Sequence, residues 1–253
     1  MVDTASKPLV WDESRLSDPH GQPDKAARVQ AMFDAIAPTY EKVNRWLSLG
    51  RDAYWRRRAV ELAAVTTADR VIDLACGTGD FARAFAAAHP NGVVGCDFSS
   101  GMLRRAQSRT GSGGNSQIEW FQADALHLPF ANESFDIASC AFGVRNLQDL
   151  GLGFSEAYRV LRPGGRFVIL EFSTPRTPLL GGLYMFYLSR VLPRLATLIS
   201  HDRSGAYQYL PASVSTFVDA EGMAKRLTAA GFARVEHHRL TLGVVTIHLA
   251  WKS

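Results

Sequence analysis

The chain has 253 residues, of which 47% are hydrophobic and 21% are charged, and its net charge is +4. These are ordinary globular values, and the length suits one α/β domain with appendages. The three cysteines lie in predicted strands without C-x-x-C spacing, which argues against a disulfide framework and a zinc site, so we expect no metal ion. The modest positive charge permits contact with acidic partners but does not require it.

The N-terminal part of the chain changes character near residue 25. Residues 1–24 mix Pro, Asp and Ser without periodicity, which predicts a flexible arm without the apolar core of a signal peptide. We therefore expect a cytoplasmic protein. Residues 25–66 show helical periodicity interrupted at Pro38, which predicts a helical cap before the first strand, where it could cover a bound cofactor.

A strand, a glycine turn and a helix follow in residues 70–88. The strand is apolar, Gly77 and Gly79 supply a turn without side chains, and the next residues favour a helix. Such a turn after a first parallel strand lets a cofactor approach the backbone beside a helix N-terminus. The six positions from Ala75 read A-C-G-T-G-D, so the dinucleotide fingerprint G-x-G-x-x-G is absent.

Two further strands end in acidic residues. The strand at 92–97 ends in Asp97, at the offset where a carboxylate can accept hydrogen bonds from a ribose diol. The strand at 117–123 ends in Asp124 and Ala125, where a carboxylate can meet an adenine amino group. Together with the glycine turn, these two strand ends predict a pocket that binds a nucleoside but has no site for a pyrophosphate. The pattern is typical of a Rossmann-like class I S-adenosylmethionine-dependent methyltransferase, an α/β fold with a seven-stranded, mostly parallel sheet.

The second half of the chain completes this domain and adds an insertion. The predicted fourth strand, 135–142, is apolar throughout, and the cofactor-binding core is predicted to span residues 67–172. Residues 173–216 form a strongly apolar helical insertion, which glycines and prolines break before it reaches the ~20 residues of a transmembrane helix. Residues 217–253 predict a helix and an antiparallel hairpin at the sheet edge. We expect residues 25–253 to form one domain.

Several stretches of this sequence together are specific to one family. They are Phe33-Asp34 through Tyr40, the D-L-A-x-G-T-G-D run from Asp73, Asp124-Ala125, the run Phe142-Gly143-Val144-Arg145-Asn146, Pro163-Gly164-Gly165 and Leu170-Glu171-Phe172-Ser173. Through them the sequence resembles the C-methyltransferases of ubiquinone and menaquinone biosynthesis, from about residue 28 to the end. The resemblance implies S-adenosylmethionine as cofactor and a polyprenylated quinol as substrate. Demethylmenaquinol to menaquinol is the main expectation, and the benzoquinol step of ubiquinone biosynthesis is the alternative.

The resemblance also implies roles for individual residues. The cofactor-binding residues would be Asp73, Gly77, Thr78, Gly79, Asp97, Asp124, Ala125 and Ala141. Ala141 stands where the family often has serine, so only its backbone could serve. For catalysis, Arg145 could stabilise the quinol oxyanion and orient a water that removes the proton, while Asn146 could bind a ring oxygen. Tyr40 would close over the methyl donor, and His201-Asp202 is the alternative base.

The insertion allows two interpretations. Residues 179–199 could form a lid that receives the prenyl tail and rests on a membrane surface, with Arg190 and Arg194 meeting anionic head groups. The segment could instead pack on the sheet or form a dimer interface.

The sequence disfavours two functions other than quinol methylation. A nucleic-acid methyltransferase is disfavoured because Ala141-Phe142-Gly143-Val144 replaces the Asn/Asp-Pro-Pro-aromatic motif, no proline accompanies Cys140, and the insertion is apolar rather than basic. A non-catalytic cofactor-binding subunit is disfavoured by the intact Asp97, Asp124 and Arg145-Asn146.

Overall fold

The computed structural model describes residues 9–114, 118–200 and 204–253. Over these residues, seven strands form one sheet in the order β3-β2-β1-β4-β5-β7-β6. The strands are β1 (Arg70–Leu74), β2 (Gly92–Asp97), β3 (Ile118–Gln122), β4 (Phe135–Ala141), β5 (Leu161–Phe172), β6 (Arg234–Leu240) and β7 (Val245–Trp251). The first five are parallel, and β7 runs antiparallel to both of its neighbours. The predicted fold class is confirmed.

Helices cover both faces of the sheet and the carboxyl ends of its parallel strands. They are α1 (Glu13–Leu16), α2 (Lys25–Ile36), α3 (Tyr40–Leu47), α4 (Arg51–Ala63), α5 (Asp80–Ala86), α6 (Ser100–Gly114), α7 (Leu150–Val160), α8 (Pro178–Phe186), α9 (Leu192–Ser200), α10 (Ala206–Ser215) and α11 (Ala220–Ala229). A π-helical turn, Tyr187–Val191, joins α8 to α9. The described residues contain no helix that is both long and apolar enough to cross a membrane.

The apolar sequences of the central strands place them between two cores. On one face, Phe154 of α7 and Phe232 pack against Phe167 of β5. On the other, Trp55 of α4 and Phe85 of α5 join the second cluster. All five side chains are at most 3% exposed, and burial of each contributes about 1.5–3 kcal/mol. The three cysteines lie in or beside this core and are buried, as expected for small apolar residues.

The cap consists of α2, α3 and α4, and it lies over the carboxyl ends of the parallel strands. Asp34 of α2 fixes this position, because its Oδ1 accepts a hydrogen bond from Ser99 Oγ at 2.5 Å and from Gly101 N at 2.9 Å. Ser99 Oγ in turn accepts from Met102 N at 3.0 Å, which caps the N-terminus of α6. One carboxylate therefore joins the cap to the helix that follows β2.

The segment before α2 differs from the flexible arm that its composition suggests. Residues 1–8 lie outside the described part, but residues 9–24 pack on the body of the protein. Trp11 is 3% exposed and lies against Tyr209 of α10, with ring centroids 4.4 Å apart. The Arg28 guanidinium also donates to Val10 O at 2.9 Å. One large aromatic side chain supplies enough burial to order a polar segment that has no periodicity of its own.

The insertion is helical and packs on the cap. Val43 of α3 lies in a cluster with Leu188 and Leu192 of the insertion, and all three are at most 3% exposed. Pro193, which has no N–H to donate to the preceding turn, directly follows the π-helical turn as the second residue of the Leu192–Ser200 helix. The insertion and the cap together therefore cover the carboxyl ends of the parallel strands.

Candidate active site

Three adjoining cavities lie at the carboxyl ends of β1 to β4. The sheet-edge cleft has a volume of about 820 Å³ and lies between the strand ends and α2. The polar cleft, about 320 Å³, lies beside the glycine turn. The apolar cavity, about 910 Å³, lies between the cap, β5 and the insertion. Tyr40 contributes to the wall of all three cavities, which places it where they meet.

Asp97 is positioned in the sheet-edge cleft by backbone hydrogen bonds. Its Oδ2 accepts from Gly77 N at 2.7 Å, and its Oδ1 accepts from Ser99 N at 2.8 Å. These bonds connect the end of β2 with the glycine turn and hold the carboxylate in one orientation. Burial raises the pKa of Asp97 to about 6, although both backbone bonds oppose the shift. An ionised Asp97 retains further lone pairs for a hydroxyl donor in the cleft.

Asp124 and Ala125 line the same cleft, at the end of the neighbouring strand β3. Asp124 Oδ1 accepts from Leu126 N at 2.9 Å, which fixes the carboxylate in a tight turn. The side chain remains 41% exposed, so its second oxygen can reach a ligand. The structure thus brings Asp97, Asp124 and Ala125 to one cleft, as their positions at the strand ends predict.

The two glycines of the turn have different functions. Gly77 has φ +56°, and a Cβ built there would meet no protein atom within 4 Å, so the turn presents bare backbone to both clefts. Gly79 has φ +81°, and a Cβ would lie 2.3 Å from the ring of Trp120. Gly79 lines none of the three cavities; it allows the Trp120 ring to pack on the turn.

Thr78 and Asp73 lie in the polar cleft rather than in the sheet-edge cleft. Thr78 Oγ1 accepts a hydrogen bond from Arg109 at 3.1 Å, and its side chain is buried. Asp73 Oδ1 accepts from Ser139 Oγ at 2.7 Å, while its Oδ2 is buried without a hydrogen-bond partner among the described residues. Burial raises the pKa of Asp73 to about 7.

These features fit S-adenosylmethionine. The acids of the sheet-edge cleft can accept from a ribose diol and an adenine amino group. Gly77 leaves the space of a side chain free beside them, and the unpartnered oxygen of Asp73 matches an ammonium group. Ala141 lines both clefts but has no hydroxyl, so it offers only backbone and a methyl surface.

The turn after β4 separates the sheet-edge cleft from the apolar cavity. Phe142 has φ +58°, an unusual value for a bulky residue, and its ring belongs to the wall of both cavities. At Gly143, a Cβ would lie 2.8 Å from that of Ala75, so glycine permits close packing there. The next residues then face opposite ways: Arg145 lines the apolar cavity and Asn146 lines the sheet-edge cleft.

Arg145 forms a buried ion pair with Glu171, near the carboxyl ends of β4 and β5. Arg145 Nη1 lies 2.6 Å from Glu171 Oε1 and also donates to Phe142 O at 2.7 Å. Burial alone would lower the pKa of Arg145, but the Glu171 carboxylate raises it above its ordinary value. Arg145 Nε is buried without a hydrogen-bond partner among the described residues, which costs about 1–3 kcal/mol unless a ligand accepts from it.

Several residues of the site were not assigned from the sequence. Glu171 belongs to a family motif, but the sequence alone assigns it no role. A glutamate inside an apolar strand is itself a signal that a buried cation faces it. Tyr209 OH donates to Asn146 Oδ1 at 3.1 Å and so fixes that amide. Glu41 accepts from Arg105 Nη2 at 3.1 Å and holds α3 against α6. His201-Asp202, the alternative base, lies outside the described residues.

Aromatic and aliphatic side chains from the cap and the insertion make up most of the apolar cavity. Its wall includes Met32, Phe33, Ile36, Trp55, Phe142, Phe172, Tyr184, Tyr187, Leu188, Leu192, Tyr207, Tyr209 and Val244. Arg145, Arg56 and Asp52 are its charged residues. A cavity of this size and composition suits a largely apolar molecule that carries a few polar atoms.

The chain is similar to proteins of known families over nearly its whole length. Residues 22–252 match the model of the ubiE/COQ5 methyltransferase family. A demethylmenaquinone methyltransferase of Clavibacter sepedonicus is 43% identical over 224 residues, which are 88% of this chain and 90% of the relative. A ubiquinone/menaquinone biosynthesis C-methyltransferase UbiE of Geotalea daltonii is 42% identical over 232 residues, 90% of this chain and 98% of the relative.

The fold is also found among solved structures. A crystal structure of an S-adenosylmethionine-dependent methyltransferase from Thermotoga maritima superposes with a TM-score of 0.61 at 18% identity. The alignment covers 89% of this chain and all of the other. At this identity the likeness supports the shared fold and no finer property.

The pKa of Asp97 leads to a pH dependence of cofactor binding. Because only the ionised carboxylate can accept both ribose hydrogen bonds, S-adenosylmethionine affinity should fall about tenfold as the pH is lowered from 8 to 5, through the pKa of about 6. Titration calorimetry at several pH values measures this directly. Asp97→Asn should bind more weakly at pH 8 and should lose the part of the pH dependence that Asp97 contributes. Identical pH profiles for both proteins would remove Asp97 from the binding site.

Proposed function

The chain belongs to the ubiE/COQ5 methyltransferase family, and we propose that it transfers the methyl group of S-adenosylmethionine to a ring carbon of a polyprenylated quinol. Demethylmenaquinol, converted to menaquinol, is the substrate we propose first, because the Clavibacter sepedonicus relative has that name. The UbiE relative is named for ubiquinone as well, so a benzoquinol is the alternative.

The observation that supports this most strongly is the meeting of two unlike cavities at Tyr40 and Phe142. One is lined by acids and bare backbone, and the other by aromatic and aliphatic side chains. A methyl group passes between two molecules only if their reacting atoms are in contact, and such positioning supplies several kcal/mol of the rate enhancement. A nucleoside donor and an apolar acceptor would meet where these two side chains separate them.

The cofactor would be held by the residues of the two clefts. Asp97 would bind the ribose, and Asp124 with Ala125 would bind the adenine. Asp73, Gly77 and Thr78 would surround the amino-acid end in the polar cleft. When bound, the cofactor supplies an electrophilic methyl group on a cationic sulfur. Tyr40 would limit the access of water to that methyl group from the side of the cap.

Arg145 would prepare the acceptor. A ring carbon becomes nucleophilic when the neighbouring hydroxyl, with an ordinary pKa of ~10, loses its proton. The Arg145 guanidinium in the apolar cavity favours that anion, and a water that it orients would carry the proton to solvent. Arginine itself is a poor base because its pKa lies above ~12. The ring carbon then forms the new C–C bond and releases its own hydrogen as a proton.

Asn146 has a different part in this proposal. It lines the sheet-edge cleft, next to Arg145 in sequence but on the other side of the turn. Its amide is held by Tyr209 and donates to Phe142 O at 3.3 Å. It would therefore contact a ring oxygen only at the boundary of the two cavities, where it would align the acceptor with the methyl donor.

The insertion has an inner and an outer face, which supports the membrane-surface proposal. Tyr184, Leu188 and Leu192 line the apolar cavity and would contact the prenyl tail. The opposite face exposes large apolar side chains: Leu179 (85%), Leu183 (65%), Phe186 (58%), Leu195 (45%) and Leu198 (72%). Arg190 and Arg194 are also exposed beside them. A basic, apolar face of this kind binds anionic lipid surfaces, in which a polyprenylated quinol is dissolved.

The function is tested directly with purified protein, S-adenosylmethionine and reduced quinones. We expect one methyl group to be added to the naphthoquinol ring, detected by mass spectrometry, with the benzoquinol assayed in parallel. Heat-inactivated protein and the oxidised quinone, which lacks the ionisable hydroxyl, serve as controls. Cofactor binding without turnover of either quinol would favour a non-catalytic subunit and contradict the proposal.

Arg145→Lys should separate turnover from cofactor binding. Lysine keeps the charge but loses the planar set of donors, so turnover should fall about 100-fold. S-adenosylmethionine affinity should stay within about twofold of the wild type, because Arg145 lines the other cavity. Arg159→Lys is a matched control at the ion pair with Glu156; Arg159 lines neither cavity, and the variant should retain turnover. A parallel loss of affinity and turnover in Arg145→Lys would make Arg145 structural.

Leu183→Glu should weaken binding to membranes. A charge on the outer face opposes both apolar contact and anionic lipid, so the fraction sedimenting with anionic vesicles should fall at least about fivefold. Turnover of a soluble, tail-less quinol should not change. Leu152→Glu, at an exposed leucine of α7, is the matched control. If wild-type protein does not sediment with the vesicles, the membrane-surface proposal is wrong.

A further inference from the structure

A half-buried tyrosine of the insertion carries a buried hydroxyl that is an unused hydrogen-bond donor, in the cavity that Arg145 also lines. Tyr184 lies in α8 and lines the apolar cavity. Its hydroxyl oxygen is inaccessible to solvent and has no hydrogen-bond partner among the described residues. A buried phenol usually bonds to something, so an unpartnered one in the wall of a cavity indicates a ligand that accepts from it.

The neighbouring charged groups are engaged with one another. Glu171 Oε1 accepts from Arg145 Nη1 and from Phe172 N at 2.9 Å. Its Oε2 faces Arg145 N at 3.4 Å, and the carboxylate is 2% exposed. Arg145 has donors only. Among the described residues no group accepts from the Tyr184 hydroxyl, which leaves it available to an oxygen of the molecule that occupies the cavity.

Arg145 contributes a second unused donor to the same cavity. Its Nε is also buried without a hydrogen-bond partner among the described residues. Both residues line the same apolar cavity, and an oxygen atom of its occupant, most of all an anionic one, is the kind of group that would satisfy these two donors. A polyprenylated quinol has such an oxygen next to the carbon that accepts the methyl group.

We propose that Tyr184 is a catalytic residue that donates a hydrogen bond to the quinol oxygen ortho to the methylated carbon. This inference rests on the proposed function. The hydroxyl of Tyr184 and Nε of Arg145 together form an oxyanion site, and the hydroxyl of the quinol loses its proton to water as before. The insertion therefore takes part in the chemistry as well as in holding the tail.

The electrostatic environment keeps Tyr184 a donor. Burial raises the pKa of its phenol far above the ordinary value; Arg145 opposes this shift, while Glu171 and Tyr187 add to it. Tyr40, Asp52 and Arg56 are the other titratable or charged groups from the cap that line the cavity. The phenol is thus protonated at neutral pH, and it supplies a hydrogen bond without supplying charge.

Tyr184→Phe tests the proposal, because it removes one oxygen atom and keeps the ring. Turnover of the quinol should fall between about 10- and 100-fold, the usual loss for one donor of an oxyanion site. The rising limb of turnover against pH should move to higher pH, because the bound quinol loses part of what favours its ionised form. S-adenosylmethionine affinity and melting temperature should be unchanged.

Tyr158→Phe is the matched control. It removes a hydroxyl from another half-buried helical tyrosine, in α7, that lines none of the three cavities, and turnover should change less than about threefold. A second arm uses a quinol whose far hydroxyl is methylated. The defect of Tyr184→Phe should persist with this substrate, because the oxygen next to the reacting carbon is still present.

Three results would overturn the assignment. Turnover and pH profile of Tyr184→Phe equal to wild type would show that the hydroxyl does not meet the reacting oxygen. Loss of turnover together with cofactor affinity and melting temperature would make Tyr184 structural. A defect that disappears when the far hydroxyl is methylated would place Tyr184 on that oxygen instead. Failure of the proposed function is distinguishable, since wild-type protein would then methylate no quinol at all.

Discussion

A buried guanidinium cannot remain without an anion, and this requirement fixes the turn on which the whole site depends. Arg145 is 6% exposed, and it meets Glu171 on the adjacent strand β5. Removal of one partner from such a pair costs about 3–5 kcal/mol, because the other charge is left buried and unpaired. The pair therefore holds the Phe142–Asn146 turn in place even though Phe142 has a left-handed backbone conformation. That turn is the wall between the two cavities.

The cap and the insertion depend on this arrangement in turn. The sheet ends in an apolar surface between Phe142 and Phe172, whose ring centroids are 4.5 Å apart, and such a surface must be covered. The cap covers it from one side, and Glu41 holds α3 there by ion pairs with α6. The insertion covers it from the other side through the cluster around Val43. The cavity that remains between them is therefore lined mostly by aromatic and aliphatic side chains.

The sequence was most informative where a residue's place in the fold follows from strand order. Asp97 and Asp124 end neighbouring parallel strands, so their meeting at one edge follows from the topology alone. The sequence was less informative where a turn decides the outcome. Arg145 and Asn146 are adjacent and were both expected to contact oxygens of the quinol, yet the turn directs them into different cavities. The two residues belong to the 3₁₀ turn Val144–Asn146, in which consecutive side chains point in different directions, and this short turn has no signature in composition or periodicity.

Two other differences have the same origin. Gly79 was expected to contact the cofactor, but it lines none of the three cavities. The space beside its Cα is filled by the ring of Trp120, which lies 41 residues further along the chain. The segment 9–24 was expected to be a flexible arm, but Trp11 finds a buried position on Tyr209, far away in sequence. In both cases one long-range aromatic contact decides the local structure. Such contacts depend on the complete fold and cannot be read from neighbouring residues.

In the apolar cavity, the direction of the hydrogen-bond donors matters more for binding an anion than the net charge of the wall does. Glu171 neutralises Arg145, so the ion pair as a whole offers little net positive potential to an anion. What remains are oriented donors, whose hydrogen bonds are strong only toward an oxygen at one position. The acids of the sheet-edge cleft act differently, because they accept from neutral hydroxyl and amino groups and favour a cationic donor by their charge. Methyl transfer would thus occur between a cavity that recognises positive charge and one that recognises the position of a single oxygen.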